Sequence, residues 1–346
     1  MYLGYLHSFR AAAVLVVVAS HAVANFSWDA DPVTGMLLRD LLDNGSVLFV
    51  FLAGFLFEHH VARFRYRAYL RRRFVAVVLP YLVLSVPAVA YDVLHSDASQ
   101  KFPEQLGGSS PLYQALWFLV HGSVVINYAL WFVPMIALYY LASPLFAVLA
   151  RHPRLYLLLV VLIPLSLLMH RVAEIETVWM AVYLLAAYVT GMWASHVRLR
   201  LEPVLLRGWP WLLALFALAT VALTLFAGHH GNYAGAYPFS QDHGPVDWLF
   251  AQKLLLCFGL LALALRLQPV LGAGLVRIAD VSVTIFFLHV YVLYAVFLAE
   301  HHLLGIPAGS VPGVLVLTAV TIVLIMSGVA VTRRVLGSRS RYVIGS

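Results

Sequence analysis

Long apolar segments recur along this chain in a pattern that is typical of proteins with several transmembrane helices. A helix that crosses the hydrocarbon core of a bilayer requires about 20 mostly apolar residues. Hydrophobic residues make up 63% of the 346 residues and charged residues only 11%, whereas a soluble domain carries about 25% charged residues. The sequence therefore predicts an all-α integral membrane protein of about ten transmembrane helices. The predicted spans are roughly 8–26, 40–58, 74–94, 129–149, 155–170, 177–195, 209–227, 247–265, 279–299 and 313–332.

Two apolar segments need a separate interpretation. Ala22-Val23-Ala24 mimics a signal-peptidase site, but Arg10 is the only firm positive charge before the apolar run. We therefore interpret residues 8–26 as a true first transmembrane helix. Residues 112–126 are apolar but short, and we expect a re-entrant or interfacial segment there, with an eleventh span as the alternative. No linker indicates a second domain, so we expect 1–346 to be one transmembrane domain without an appended soluble domain.

Arginine dominates the basic residues and lies mostly on alternate connections between the predicted spans. Cytoplasmic loops of membrane proteins carry an excess of Lys and Arg, so this distribution predicts that both termini are cytoplasmic. It also accounts for the formal net charge of +7 without nucleic-acid binding. Some of these arginines are expected to meet anionic lipid head groups. Lys101 is expected on the opposite, outer side.

The first predicted helix contains two ionisable residues, Arg10 and His21. Eleven residues correspond to about three helical turns, so both side chains lie on nearly one face and about 16 Å apart along the axis. An ionisable residue inside a span is expensive and is by default a functional candidate, and imidazole is the usual general base near neutral pH. The alternative is an arginine that snorkels to the interface and a histidine near the opposite one.

Five motifs in order resemble those of the family-3 membrane acyltransferases. They are R-AAAVLVVVAS-H at 10–21, VLFVFLAGFLFE at 47–58, YLRRRFVAVVLPYL at 69–82, ALWFVPMIALYYL at 129–141 and SVTIFFLHVYVL at 282–293. Together they extend over nearly the whole chain. Two positions depart from the family pattern. Ala53 stands where a serine is usual, and residues 76–78 lack the further arginine that often precedes the proline.

The resemblance implies transfer of an acyl group, usually acetyl from acetyl-CoA, to a carbohydrate hydroxyl at the outer face of a bacterial inner membrane. Arg10 and the cluster Arg71, Arg72 and Arg73 would bind the donor, because guanidinium groups bind phosphates bidentately. Membrane topology alone also explains that cluster. His21 would accept the proton of the attacking hydroxyl or carry the acyl group, and we favour the general base because it needs no extra intermediate.

Further candidates for substrate binding are His289, Trp131, Glu58, Tyr233 and Asp242. His289 lies in the Leu-His pair of the late motif, with a buried structural histidine as the alternative. Tyr233 and Asp242 lie in the polar, aromatic segment 228–247, which suits a hydroxyl-rich ligand or is an ordinary loop. Glu58 is expected to pair with Arg10 or with the basic loop. The histidines of 229–243 show no paired metal-ligand spacing, so we expect no catalytic metal.

Two other classes of protein stay open. Ten spans with intramembrane histidines also suit a transporter or flippase of a glycan or small solute, although no match between two halves of the chain supports it. A scaffold subunit of a polysaccharide export complex would tolerate substitution of Arg10 and His21. The acceptor, expected to be a carbohydrate or lipid-linked glycan, and a possible homo-oligomer are not specified by the residues.

Overall fold

The computed structural model describes residues 3–95, 103–122, 126–235, 237–240, 242, 244–268 and 273–345. Lys101 and His243, both considered above, lie outside the described residues. The described part of the chain is helical. The α-helices are α1 Tyr5–Val23, α2 Pro32–Leu42, α3 Ser46–His60, α4 Tyr66–Arg73, α5 Leu79–Leu84, α6 Val86–Leu94, α7 Pro111–His121, α8 Phe132–Leu141, α9 Ser143–Arg151, α10 Leu159–Met169, α11 Thr177–His196, α12 Arg198–Phe226, α13 Trp248–Leu267, α14 Ala273–Asp280, α15 Ser282–Ala299, α16 Val311–Leu336 and α17 Ser340–Ile344.

The prediction of an all-α integral membrane protein is confirmed. Within the described ranges, 8 helical segments are long and apolar enough to cross a membrane. A pair bent by 54°, Tyr128–Leu141 with Ser143–Arg151, raises the number to 9. The remaining predicted span corresponds to the shorter apolar helix Pro153–Met169. The apolar pattern located all these segments, but it did not reveal the bend.

Two segments differ in detail from the sequence interpretation. The second predicted span, 40–58, combines the end of α2 with most of α3, because Asn44 adopts a left-handed φ of 58° between them. The apolar run at 112–126 begins as α7, which ends at His121, and Gly122 follows with a φ of 99°. At about 1.5 Å per residue, the 11 residues of α7 are too short to cross a bilayer.

Glycine brings α3 and α11 into the closest helix pair of the bundle. A Cβ on Gly54 would overlap the backbone carbonyl of Tyr188, and a Cβ on Gly191 would overlap that of Phe51. Small residues allow transmembrane helices to approach this closely, which increases van der Waals contact. Helix α1 packs against α3 of this pair.

Helix α1 lies at the centre and contacts α2, α3, α13, α14, α15 and α16. Near its start, His7 lies 3.7 Å from Asp280 at the end of α14. Just beyond, the Thr284 hydroxyl donates to the carbonyl of Ile344 in α17. The first and last described helices therefore meet at one end of the bundle, so α1 begins at that end and carries His21 toward the other.

Candidate active site

His21 lies near the C-terminal end of α1, against side chains from two other parts of the chain. Its Nδ1 is 3.1 Å from the hydroxyl of Tyr128. Its ring centroid is 5.0 Å from that of His289 on α15. The structure thus places the two intramembrane histidines of the sequence analysis side by side, although 268 positions separate them in the sequence.

The hydrogen bonds of His289 determine its tautomer. Its Nδ1 lies 2.7 Å from the carbonyl oxygen of Phe286 and 3.1 Å from that of Ile285. Because a carbonyl oxygen only accepts, Nδ1 carries the hydrogen and Nε2 carries the lone pair. His289 is fully buried, and its Nε2 has no hydrogen-bond partner among the described residues. A buried hydrogen-bond acceptor without a partner is costly. The Nε2 atom of His289 is therefore open to a donor from a ligand.

Tyr128 reaches His21 from the short 3₁₀ helix Tyr128–Trp131 that leads into α8. The preceding residue, Asn127, is completely buried and donates from Nδ2 to the carbonyl of Phe287, 3.0 Å away. This bond ties the segment to α15, the helix that carries His289. The positions of Tyr128 and His289 relative to His21 are therefore coupled.

A small polar cavity opens beside His21, and we call it the His21 cavity. Its lining includes Ser20, His21, Asn44, Ser46, Tyr128, Trp131, Arg171, Glu174 and Asn232. Its volume is about 40 Å³, close to the ≈ 30 Å³ share of one liquid water. A sugar-sized acceptor therefore requires the cavity to open. Ser20 also hydrogen-bonds Asp43, and this bond anchors α1 to α2 directly beside His21.

Arg171 brings a buried guanidinium to the His21 cavity. It is 5% exposed and donates to Asn44 at 3.2 Å and to Glu174 at 2.8 Å. Its Cζ lies 5.2 Å from the centroid of the Trp131 ring. Asn44 and His170, which precedes Arg171, have φ values of 58° and 61°. Left-handed backbone is costly for residues other than glycine and is concentrated at functional sites.

A chain of hydrogen bonds continues from Asn44 into α13. Asn44 donates to the Tyr183 hydroxyl at 2.8 Å, and that hydroxyl donates to Asp247 at 2.8 Å. Asp247 also accepts from the backbone N–H of Phe250 and so caps the start of α13. Burial raises the pKa of the Asp247 carboxyl, and these donors oppose the rise. Tyr183 on α11 thus holds Asn44, Asp247 at the start of α13 holds Tyr183, and Asn44 in turn accepts from Arg171.

A second cavity, the Arg10 cavity, lies toward the other end of α1. Arg10 and Arg73 line it together with Tyr69, Tyr140 and mostly apolar side chains, and its volume is about 130 Å³. The Arg73 guanidinium lies 5.2 Å from the centroid of the Tyr69 ring and 5.6 Å from that of Tyr140. Among the described lining residues there is no carboxylate, so the two guanidinium groups favour an anionic ligand.

Three phenyl rings separate the two cavities, and we call them the phenyl partition: Phe49, Phe132 and Phe286. Their centroids are 6.3 Å apart for Phe49–Phe132, 5.9 Å for Phe49–Phe286 and 5.1 Å for Phe132–Phe286. Phe132 and Phe286 line both cavities. The two cavities therefore adjoin each other at these two rings.

The predicted donor-binding arginines divide into two groups. Arg73 joins Arg10 in the Arg10 cavity, whereas Arg71 and Arg72 line an open surface with Arg67, Arg341 and Tyr342. Arg72 and Arg73 also line a further cavity together. The turn of π-helix at Phe74–Val78 follows this cluster directly. Consecutive residues on a helix point in different directions, so one cluster supplies two surfaces.

The predicted substrate-binding residues also divide. Trp131 and His289 belong to the His21 site, as described. Glu58 does not pair with Arg10 or with the basic loop as expected, because His196 on α11 lies 3.0 Å away and is its partner. The Tyr233 hydroxyl forms a hydrogen bond with Nδ1 of His170, 2.9 Å away. Burial raises the pKa of Tyr233. Asp242 is exposed and hydrogen-bonds Ser240.

Neither Tyr233 nor Asp242 lines the His21 cavity; Asn232, the residue before Tyr233, does. The sequence did not single out Tyr128, Arg171, Asn44 or Glu174, whereas Asn232 belongs to the segment 228–247 that was proposed to suit a hydroxyl-rich ligand. Tyr128 is close to the motif at 129–141, which was the one signal pointing to it. Within the described ranges, no three His, Cys, Asp or Glu side chains are grouped closely enough to hold a metal ion.

One known family matches nearly the whole chain. Residues 3–330 match the family described as "Acyltransferase domain", acyltransferase family 3. No curated protein and no solved structure matches the chain. The match extends over nearly the whole length and includes α1, the phenyl partition and α15. The chain therefore belongs to acyltransferase family 3 and is a multi-pass membrane acyltransferase.

Proposed function

We propose that this acyltransferase moves an acetyl group from acetyl-CoA, as co-substrate, to a hydroxyl of a surface or exported carbohydrate, with His21 as the general base. One observation carries the proposal. The cationic Arg10 cavity and the polar His21 cavity lie along the same helix and meet at Phe132 and Phe286. An anionic donor and a hydroxyl-bearing acceptor would thus approach from opposite directions.

The donor end of the proposal rests on Arg10 and Arg73. Their guanidinium groups suit the phosphates of the nucleotide end of acetyl-CoA. Arg71 and Arg72 then provide a second, open phosphate-binding surface at the mouth. Arg10 and His21 are about 16 Å apart along the axis, so the long pantetheine arm carries the thioester past the phenyl partition to His21. Both termini and this mouth would face the cytoplasm of a bacterium, where acetyl-CoA is made.

The acceptor end rests on the His21 cavity. Trp131 offers a flat apolar surface, and Asn44, Glu174 and Asn232 offer hydrogen-bonding groups, which together suit a sugar ring. In the reaction, the acceptor oxygen attacks the thioester carbonyl as His21 takes the hydroxyl proton. The C–S bond then breaks, and His21 returns the proton to the thiolate of CoA, so that acyl ester and free thiol are the products.

The test is the acyl content of cell-surface glycans, measured by mass spectrometry in source cells that lack the chain. Complementation with the wild type should restore an acyl mass that an equally expressed His21→Ala variant does not restore. His152→Ala, an exposed histidine between helices, is the matched control and should behave as the wild type.

Three other outcomes would contradict parts of the proposal. Full restoration by His21→Ala would remove the catalytic role of His21. An unchanged acyl pattern in cells without the chain, with glycan export intact, would exclude a surface carbohydrate as acceptor. Loss of glycan export itself would favour a transporter or flippase.

A further inference from the structure

His21 has no carboxylate partner among the described residues, and this sets it apart from most catalytic histidines. A histidine that acts as a base needs one ring nitrogen held by a hydrogen bond, so that the other presents its lone pair to the substrate. The hydrogen-bond partner found for His21 is the Tyr128 hydroxyl, 3.1 Å from Nδ1. The two rings also meet edge to face, with an interplanar angle of 64° and centroids 5.0 Å apart.

Tyr128 is itself held rigidly. The preceding residue, Asn127, donates to the carbonyl of Phe287 at 3.0 Å. Trp131, at the end of the same 3₁₀ helix, lies so close to Gly122 that a Cβ on Gly122 would be 2.7 Å from the Trp131 Cα. A side chain that orients a catalytic group is expected to be held in place by contacts of this kind.

The tautomer follows from what each group must do. If Tyr128 donated to Nδ1, Nε2 of His21 would carry a hydrogen and have no lone pair for the incoming hydroxyl. If Nδ1–H donates to the Tyr128 oxygen, Nε2 is free to act as the base. We propose that Tyr128 is the positioning residue of His21, accepting its Nδ1–H through the phenol oxygen and leaving Nε2 toward the acceptor.

The inference rests on the proposed acyl transfer, and it adds a second role at the same site. The Tyr128 O–H remains available as a donor when its oxygen accepts from His21. This O–H could donate to Glu174 or to an oxygen of the bound carbohydrate in the His21 cavity. Tyr128 thus connects the base to the acceptor-binding surface, whereas it takes no part in lining the Arg10 cavity.

The test uses full-length protein in membrane vesicles from the source cells, which contain the natural acceptor, and radiolabelled acetyl-CoA. Tyr128→Phe removes one oxygen atom. We expect its turnover to fall by at least about tenfold, because the base loses its orientation. Its KM for acetyl-CoA should not change, because Tyr128 does not contact the Arg10 cavity. Tyr139→Phe is the matched control: that hydroxyl is buried and donates to the carbonyl of Ala181, away from His21.

A second variant tests the direction of the hydrogen bond. A ring fluorine makes a phenol a stronger donor and a weaker acceptor without removing the oxygen. Tyr128→3-fluorotyrosine should therefore transfer acetyl more slowly than the wild type if the phenol accepts from Nδ1–H. Unchanged or faster transfer would overturn the proposed direction.

The outcomes also separate this inference from the proposed function. Wild-type turnover in Tyr128→Phe, or a loss no greater than in Tyr139→Phe, would overturn the positioning role while acyl transfer through His21 stood. A change confined to the KM for acetyl-CoA would overturn it as well. If neither the wild-type nor the His21→Ala vesicles transferred label, the proposed function would fail, and the inference would fail with it.

Discussion

The guanidinium of Arg171 lies over the indole ring of Trp131, 5.2 Å from its centroid, and faces the cavity that contains His21. Glu174 and Asn44 bind the same guanidinium. The cation is thus held on three sides before any ligand arrives. A guanidinium that stacks on an aromatic ring and donates to two different partners is not replaceable by the ammonium group of lysine.

Replacement of Arg171 should therefore weaken use of the acceptor more than use of the donor. We expect Arg171→Lys and Arg171→Gln to raise the acceptor concentration needed for half-maximal transfer and to leave the KM for acetyl-CoA unchanged. The measurement is label transfer in vesicles at varied amounts of added acceptor glycan. Arg39→Gln is a control on α2 that removes an arginine which does not line the His21 cavity. An equal effect of both substitutions would contradict a specific role for Arg171.

The division of the basic cluster predicts unequal effects within it. Arg73→Ala should raise the KM for acetyl-CoA by roughly tenfold or more, because it removes a charged hydrogen bond worth about 1.5–3 kcal/mol from the Arg10 cavity. Arg71→Ala should have a smaller effect, because Arg71 lies on the open surface. Binding of acetyl-CoA to the purified protein, measured by calorimetry, provides the comparison. A larger loss in Arg71→Ala would show that the open surface is the main donor site.

The lone pair of His289 Nε2 predicts a role that a merely structural histidine does not have. His289→Asn can reproduce the Nδ1–H bond to the Phe286 carbonyl but has no atom at the Nε2 position, whereas His289→Gln can place an oxygen near it. We therefore expect His289→Gln to retain more transfer than His289→Asn at equal folded amounts. Thermal unfolding of both variants in detergent checks that they are folded. The reverse order of activity would remove Nε2 from the mechanism.

The contact of Gly54 with α11 predicts a loss of stability without any change in chemistry. Gly54→Ala forces α3 away from Tyr188, and overpacking of this kind typically costs about 1–3 kcal/mol. Gly328→Ala on α16 is the control, because a Cβ there meets nothing within 4 Å. We expect a lower unfolding temperature for Gly54→Ala and an unchanged or slightly higher one for Gly328→Ala. Equal unfolding temperatures would mean that the bundle adjusts at no cost.

The sequence predicted the helices well because hydropathy acts locally: each span contains its own apolar residues. It also predicted that Arg10 and His21 lie along one helix, whose geometry fixes their spacing. It did not predict Tyr128 and Arg171 beside His21, because both come from distant segments and reach His21 only through tertiary packing. The motif at 282–293 pointed to His289, but not to its contact with His21. Glu58 shows the same limit. Its neighbour in space, His196, is 138 positions away in the sequence, so local charge patterns favoured the wrong partner.

The 3₁₀ start of α8 and the left-handed residues Asn44 and His170 were equally invisible to hydropathy. Asn44 lies between α2 and α3, and His170 follows the end of α10. Tertiary hydrogen bonds to Tyr183 and Tyr233 hold these two residues. These are the positions that bring Tyr128 and Arg171 to the His21 cavity. The least predictable backbone is therefore the backbone that builds the site.

The phenyl partition has a consequence for the cell as a whole. A protein that admits one substrate from each side of a membrane risks becoming a pore through which protons and ions run down their gradients. Three apolar rings between two polar cavities exclude water, and a column of water is what a proton needs to cross. If the two cavities admit substrates from opposite sides, as proposed, Phe49, Phe132 and Phe286 would keep water, and with it protons, from crossing between them. In the proposed reaction, the donor's acyl end and pantetheine arm would displace the rings and occupy the gap themselves, so that no continuous column of water forms while substrate passes.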